Sequence, residues 1–320
     1  MAEQTTAASP LAEPAADGAG AGSVLAVDPV DPAGILPLDE RTLNTVVEAA
    51  LAEDAPWGDI TTTALVPDGV RATAGLSARE AGVLAGSAVF AAAMRLTDPA
   101  ITVRFHVADG GRFGAGTQLA TVSGPARSVL TAERVGLNLL QRMSGIATTT
   151  AGYVAAAGAN ARIADTRKTT PGLRAVERYA VRCGGGHNHR FGLSDAVMAK
   201  DNHLAVLTRN GSGDLTTALR QAKAKLPHTV CFEVEVDRLD QIEAVAAAGV
   251  DVIMLDNFTT DELVEGVQLV AGRAVVEASG SVNLETVGAI ARTGVDVVSV
   301  GALTHSVRSL DLGLDIDVEL

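Results

Sequence analysis

Lysine is nearly absent from this sequence. Of 25 basic side chains in 320 residues only four are lysines, Lys168, Lys200, Lys223 and Lys225, and none precedes residue 168. Cysteine is equally scarce. Cys183 and Cys231 lie far apart, in neither a CxxC nor a Cys/His spacing, which argues against a disulfide framework or a zinc site and for a reducing compartment. No apolar run approaches the roughly 18 residues of a membrane span. The N-terminus has no basic n-region, its first positive side chain being Arg41. With a net charge of −13, the surface as a whole repels nucleic acid and anionic lipid. The expectation is a soluble, cytoplasmic protein with neither nucleic acid nor membrane as partner.

Apolar residues make up 47% of the chain, ample for a large core. The length suits two domains, or one barrel with an attached module. Residues 1–36, rich in Ala, Gly, Pro and Asp, read as a disordered tail. Helical periodicity over 38–54 puts Leu43, Val46, Val47, Ala50 and Leu51 on one face. Short alternating segments punctuated by glycine follow, forming a small sheet module from about 59 to 124. It has no lysine for a biotinyl- or lipoyl-type carrier, so its expected role is structural. A long helix is predicted over 126–157, with a break near Gly145.

Beyond it the pattern changes. "ARIAD", "AVMAKD", "TVCFEVEVD", "VDVIMLDN", "AVVEASG" and "VDVVSVGAL" are short runs rich in Val and Ile, read as apolar on both faces. Predicted helices at 213–225, 238–248, 260–271 and 283–293 separate most of them. Such alternation means a parallel sheet covered on both sides, in a (β/α) barrel or a doubly wound open sheet.

Each run ends in polar residues, and barrel active sites assemble at the C-terminal ends of strands. Thr166, Arg167 and Lys168 close the first run and Lys200 the second. Glu233, Glu235 and Asp237 sit in the third, Asp256 and Asn257 end the fourth, Glu277, Ser279 and Gly280 the fifth, and Gly301 the last. Asp237 and Asn257 read as turn formers. Residues 162–203 hold eight cations against four acids in a chain that is otherwise acidic. Arg174, Arg178 and Arg182, at i, i+4 and i+8, read as a solvated helix face. Arg167, Lys168, Arg190 and Lys200 flank strands instead, and convergent cations of that kind imply a small polyanion.

In "RCGGGHNHR" three glycines let backbone approach a ligand. His189 is placed to donate to an anion, and His187-x-His189 lacks a third metal ligand. Lys200 at a strand end also fits a Schiff-base aldolase. The small residues of "EASGS" and "SVGAL" suit a phosphate, and Glu235 and Asp256 suit Mg²⁺, ribose hydroxyls or a developing cation.

With these residues assembled, the sequence resembles the quinolinate phosphoribosyltransferase family, also called carboxylating nicotinate-nucleotide pyrophosphorylases. The resemblance rests on "AERVGLNLLQRMSGIAT", "DTRKTTPGLRAVERYAVRCGGGHNHR", "AKDNHL", "FEVEV", "LDN", "EASG" and "VGALTHS", over about residues 39–315. It implies an α/β fold, an atypical (β/α) barrel with an N-terminal α+β sandwich domain. The expected extents are a tail at 1–36, a dimer-forming sandwich at 37–144, the catalytic barrel at 145–305 and a segment at 306–320 packing back on the sandwich.

The implied reaction is phosphoribosyl transfer from phosphoribosyl pyrophosphate to quinolinate with decarboxylation, requiring Mg²⁺, in a homodimer with shared active sites or a higher oligomer. By motif, Arg134 reaches the partner's site, and Thr166, Arg167, Lys168, His189, Arg190 and Lys200 form the pocket for carboxylates and phosphates. Glu235 and Asp256 lie near the ribose and Mg²⁺, and Ser279, Gly280, Ser281, Gly301 and Ala302 hold the 5′-phosphate. Lys168, Lys200, Glu235 and Asp256 carry the catalytic roles. Ser281 departs from the Gly or Asn common in the family, and "LAVLTRNGSGD" after "KDNH" is expected to be a mobile linker.

Overall fold

The computed structural model describes residues 34–209 and 214–319. The expected tail therefore lies, up to residue 33, outside the described residues.

The chain opens with two helices, α1 (Glu40–Asp54) and α2 (Ile60–Leu65). Each starts on an aspartate, Asp39 and Asp59, whose side chain accepts from an N–H of the first turn. Leu43 and Val47 of α1 are buried. Then come β1 (Arg71–Ala78), β2 (Gly82–Val83), α3 (Ser87–Thr97), β3 (Thr102–Phe105), β4 (Arg112–Phe113) and β5 (Gln118–Pro125). In β1, Ala72, Ala74, Leu76 and Ala78 point inward while their neighbours face out, the period-2 mark of a sheet covered on one side. Leu76, Phe90, Met94, Val122, Leu137 and Leu140 fill the space between this sheet and the helices.

Helix α4 (Ala126–Ala157) crosses from this domain into the next without a break. Gly145 serves close approach rather than a kink. A Cβ there would lie 2.3 Å from the carbonyl oxygen of Arg308, whose backbone runs over this point of the helix.

The second domain contains β6 (Arg162–Ala164), α5 (Arg174–Cys183), β7 (Val197–Ala199), α6 (Asp201–Arg209), α7 (Leu215–Lys223), β8 (Phe232–Val236), α8 (Ile242–Ala247), β9 (Val252–Asp256), α9 (Thr260–Val270), β10 (Val275–Ser279), α10 (Val287–Ala291), β11 (Val297–Ser299) and α11 (Ala302–His305). Its six strands are parallel, in the order β6-β11-β10-β9-β8-β7. The outer faces bury Phe232, Val234, Ile253, Leu255 and Val298 beneath the helices, roughly 1.5–3 kcal/mol for each large side chain.

The inner faces differ from the apolar expectation. Glu233, Glu277 and Ser299 are buried inside the barrel. The edge strands β6 and β7 do not pair with each other. The stretch after the three glycines, read as backbone that approaches a ligand, extends the sheet: His187 N–H donates to Ile163 O at 2.7 Å, and Asp165 N–H to His187 O at 3.0 Å. The barrel remains open between this segment and β7. The linker expected after "KDNH" is largely α6, and residues 210–213 lie outside the described residues.

The last strand, β12 (Leu312–Glu319), returns to the first domain. It pairs antiparallel with all of β1, giving the order β12-β1-β5-β3.

An exposed helical glycine gains about 1 kcal/mol on replacement by alanine. At position 145 the sign reverses, because the new methyl meets backbone. Gly145→Ala is expected to destabilise the protein by about 1–3 kcal/mol. The measurement is the urea midpoint, at unchanged m-value.

Candidate active site

The C-terminal ends of the barrel strands surround a cavity of about 440 Å³. Thr166, Arg167 and Lys168 enter it from beyond β6, and Lys200 from the end of β7. Glu235 comes from β8, Asp256 from β9 and Ser279 from β10, with His189 and Arg190 from the sheet extension. Seven of these nine were legible as strand-end polar groups, and His189 and Arg190 were singled out in the glycine-rich "RCGGGHNHR". Met198, Met254 and Ser299 complete the lining and had not been singled out.

What holds the cations in place is buried behind them. Asp165, fully buried, accepts from His189 N–H at 2.7 Å, Asn188 Nδ2 at 2.6 Å and Arg178 Nη1 at 3.3 Å. Burial pushes this carboxyl up, and the Arg178 guanidinium with those donors pulls it down. Arg178 also donates to Arg190 O at 3.2 Å. Arg174 donates to Thr169 Oγ1 and Phe191 O, each at 3.0 Å. The solvated face expected of α5 is therefore wrong. Only 11% of the Arg178 side chain is exposed, and Arg174 and Arg178 fasten the two cationic loops to the helix. Arg182 stacks over Tyr179, 5.4 Å from the ring centroid, with its Nε buried.

His189 is occupied at both ring nitrogens. Arg190 N–H donates to Nδ1 at 2.7 Å, while Nε2 lies 3.1 Å from Glu233 and 3.5 Å from Glu277. Burial works against charging this ring, and the two carboxylates overcome it, taking the imidazole up to about 10. Arg190 N–H counters them, because a second ring proton would sit on Nδ1 and face that donor. The arrangement that satisfies every bond has the proton on Nε2, shared with the carboxylates. The direct donation from His189 to an anion expected from the sequence is thus already spent within the protein.

The same three residues each bring one donor atom within 4.8 Å of the others, a spacing suited to a metal. The tautomer argues against one, since a proton on Nε2 leaves no lone pair there. Burial raises the Glu233 carboxyl, and the hydrogen bond from His189 opposes it. Glu233 and Glu277 were noted in the sequence only as strand residues. For Glu233 the signal was the alternation Phe232-Glu233-Val234-Glu235-Val236, which puts acids on one face.

Lys200 is ion-paired with Glu235. Asp256 accepts from Asn257 Nδ2 at 2.8 Å. Asn257, expected as a turn former, has φ 60° and packs against Gly280, where a Cβ would meet Asn257 Oδ1 at 2.2 Å. Ser281 has φ 50°, in the left-handed region that Gly and Asn adopt more readily. Gly280, Ser281, Gly301 and Ala302 do not line the cavity, although Gly301 lies against the Lys168 side chain.

Arg134 is exposed on α4 and is not part of its own chain's cavity. His187 is separated from His189 and lines a pocket with Asn160, Arg162 and Asp296, so the two histidines do not form a metal pair. The Nε atoms of Arg167 and Arg190 are buried with no acceptor among the described residues. Buried donors of this kind are normally paired.

A parallel α/β barrel with cations gathered at its strand ends around a polar cavity is by geometry a receptor for a small polyanion. Family models described as "Quinolinate phosphoribosyl transferase, N-terminal domain" and "C-terminal domain" match residues 59–144 and 146–315. The chain is 46% identical over 280 residues to the nicotinate-nucleotide pyrophosphorylase [carboxylating] of Mycobacterium leprae, covering 84% of this chain and 95% of that protein. It is 42% identical to a probable enzyme of the same name from Bacillus subtilis, over 87% and 95% of the two chains. The crystal structure of NadC from Streptococcus pyogenes superimposes with a TM-score of 0.84 at 42% identity, over 89% of this chain and 99% of that one. The chain belongs to the quinolinate phosphoribosyltransferase family.

Histidine-selective ¹⁵N NMR tests the tautomer. At neutral pH, His189 is expected to carry a proton on Nε2. A neutral ring protonated on Nδ1, with Nε2 bare, would contradict the assignment.

Proposed function

We propose that this protein transfers the phosphoribosyl group of phosphoribosyl pyrophosphate to quinolinate and decarboxylates the product, giving nicotinate mononucleotide, pyrophosphate and CO₂ in de novo NAD biosynthesis. The observation that carries the reading is the convergence of Arg167, Lys168, Arg190 and Lys200 on one cavity that also contains Glu235 and Asp256. Quinolinate is a dianion and phosphoribosyl pyrophosphate is more negative still, so binding both needs several fixed cations.

Arg167 and Arg190 suit the planar carboxylates, and the Arg190 guanidinium is held by Nη1 donating to Ala196 O at 3.0 Å. Lys168 and Lys200 act as point charges for phosphate oxygens. As pyrophosphate leaves, positive charge builds on the ribose, and Glu235 and Asp256 stabilise it electrostatically. The electron pair of the breaking C–C bond then stays on the ring carbon beside the pyridinium nitrogen as a stabilised ylide, and a proton from solvent takes the place of the departing CO₂, with no covalent enzyme intermediate.

Glu235 and Asp256 offer hard oxygen donors of the type Mg²⁺ takes, and no third ligand joins them in a cluster among the described residues. That donor set fits an ion carried mainly by substrate phosphates, with one or two protein carboxylates completing its shell. Bound there, Mg²⁺ would neutralise pyrophosphate charge.

The reading includes a homodimer that shares its sites. Trp57, Ile60 and Leu65 are 94%, 83% and 75% exposed. They flank Asp59 and Val66, which are tied to the first turns of α4 by Thr131 and Arg127. An apolar patch beside the helix that carries the exposed Arg134 supports a second copy docking there. No helix among the described residues is long and apolar enough to cross a membrane, and a cytoplasmic location fits the proposed substrates.

The direct test is quinolinate consumption with phosphoribosyl pyrophosphate and Mg²⁺, scored by CO₂ release. Turnover with nicotinate and none with quinolinate would sink the reading. Lys200→Ala is expected to lower turnover well over about tenfold while leaving the fold intact, the scale of losing a charge-assisted contact. Mixing inactive Arg134→Ala chains with inactive Lys168→Ala chains is expected to restore part of the activity. Demonstrated heterodimers without activity would exclude shared sites.

A further inference from the structure

Lys168 lines the cavity from beyond β6, and Gly301, just after β11, packs against its side chain, so the place of this cation depends on that second loop. The bonds that fix them relative to each other converge outside the cavity, on the pair Arg142 and Glu177. Glu177 of α5 is fully buried. Its carboxylate accepts from Thr170 N–H at 3.0 Å and Thr170 Oγ1 at 2.8 Å, and from Arg142 Nη2 at 2.9 Å and Nε at 3.2 Å. Arg142 of α4 spends its remaining donors on the other side of the site, on Val307 O at 3.1 Å and on Thr304 O. Thr304 Oγ1 closes the circuit by donating to Lys168 O at 2.7 Å.

A ring of hydrogen bonds thus runs from Lys168 through Thr304, Arg142 and Glu177 to Thr170, and back along the chain. The two loops also touch directly, since a Cβ on Gly301 would lie 3.0 Å from Lys168 Cδ. Only a planar fork with donors on several nitrogens serves Glu177, Thr304 and Val307 at once; a lysine ammonium has a single nitrogen. Neither Arg142 nor Glu177 lines the cavity.

We propose that Arg142 and Glu177 are positioning residues that set the spacing between Lys168 and the Gly301 loop, and so the affinity for phosphoribosyl pyrophosphate. The identity of that ligand rests on the function proposed above; the positioning role rests on the bonds.

Replacing a buried ion pair with apolar residues of similar volume is often neutral for stability. The Arg142→Met/Glu177→Met double variant is therefore expected to fold while losing the bonds to Thr170, Thr304 and Val307. Calorimetric titration with phosphoribosyl pyrophosphate is expected to show Kd weakened about tenfold or more, the scale of lost charged hydrogen bonds. KM for the same substrate should rise with little change in kcat, a split that general destabilisation does not produce.

A folded double variant with parental Kd and KM overturns the proposal. Thr304→Val, which keeps the ion pair and removes the hydroxyl that reaches Lys168 O at 2.7 Å and Gly301 O at 3.3 Å, is expected to shift Kd in the same direction by about threefold, as one neutral hydrogen bond allows. It decides the matter if the double variant does not fold, and a parental Kd in it overturns the proposal. A parent that binds phosphoribosyl pyrophosphate but does not turn over quinolinate counts against the proposed function alone. The positioning role is then read from Kd.

Discussion

Like charges repel at the mouth of this barrel, and the surrounding structure is organised to hold them there. Two unit charges about 6 Å apart repel by about 3 kcal/mol at an effective dielectric of about 20, and four cationic side chains share one cavity. Buried carboxylates on the protein side compensate. Asp165 and Glu177 are fully buried behind the loops, Glu233 and Glu277 lie beneath His189, and Glu235 meets Lys200. Each also accepts hydrogen bonds or an ion-pair contact, so it fixes a direction as well as balancing a charge. The overall acidity of the chain says little about the ligand, because this local balance sets the field in the cavity.

The strands of the barrel were legible because they are short, rich in Val and Ile, and end in polar residues. The sheet extension was not. Gly184-Gly185-Gly186-His187 has no strand propensity, and it pairs with β6 because an open edge presents unpaired N–H and C=O groups. The unbroken course of α4 was hidden for a similar reason. A glycine in a helix reads as a weak point, whereas Gly145 exists to admit the backbone of Arg308, which is 163 positions away in sequence. Both misreadings concern backbone meeting backbone across long separations, where side-chain pattern says least.

In the site, groups that end strands could be found from the sequence and groups that support them could not. Arg167, Lys168, Arg190 and Lys200 stood out as cations beside apolar runs. Arg174 and Arg178 did not, because spacing at i and i+4 fits a solvated face as well as a face packed on two loops. The distinction lies in Asp165, Thr169, Phe191 and Arg190, which meet α5 only in the folded chain. His189 shows the converse. Its type and place suggested a ligand donor, and its neighbours Glu233 and Glu277 made it part of the floor.

The small domain constrains the site although none of its residues lines the cavity of its own chain. After α11 the chain has only residues 306–311 before it joins β12 in the first sheet. That short connection is pinned by Arg142 to Val307, by the ion pair of Arg308 with Glu80, and by Leu310 N–H donating to Gln141 O at 3.0 Å. Arg142 and Gln141 belong to α4, the helix that enters both domains. A displacement of the first sheet along α4 would therefore pull on α11, and through Thr304 on Lys168. The position of the cation at the mouth of the barrel depends on a sheet whose strands lie at the two ends of the described chain.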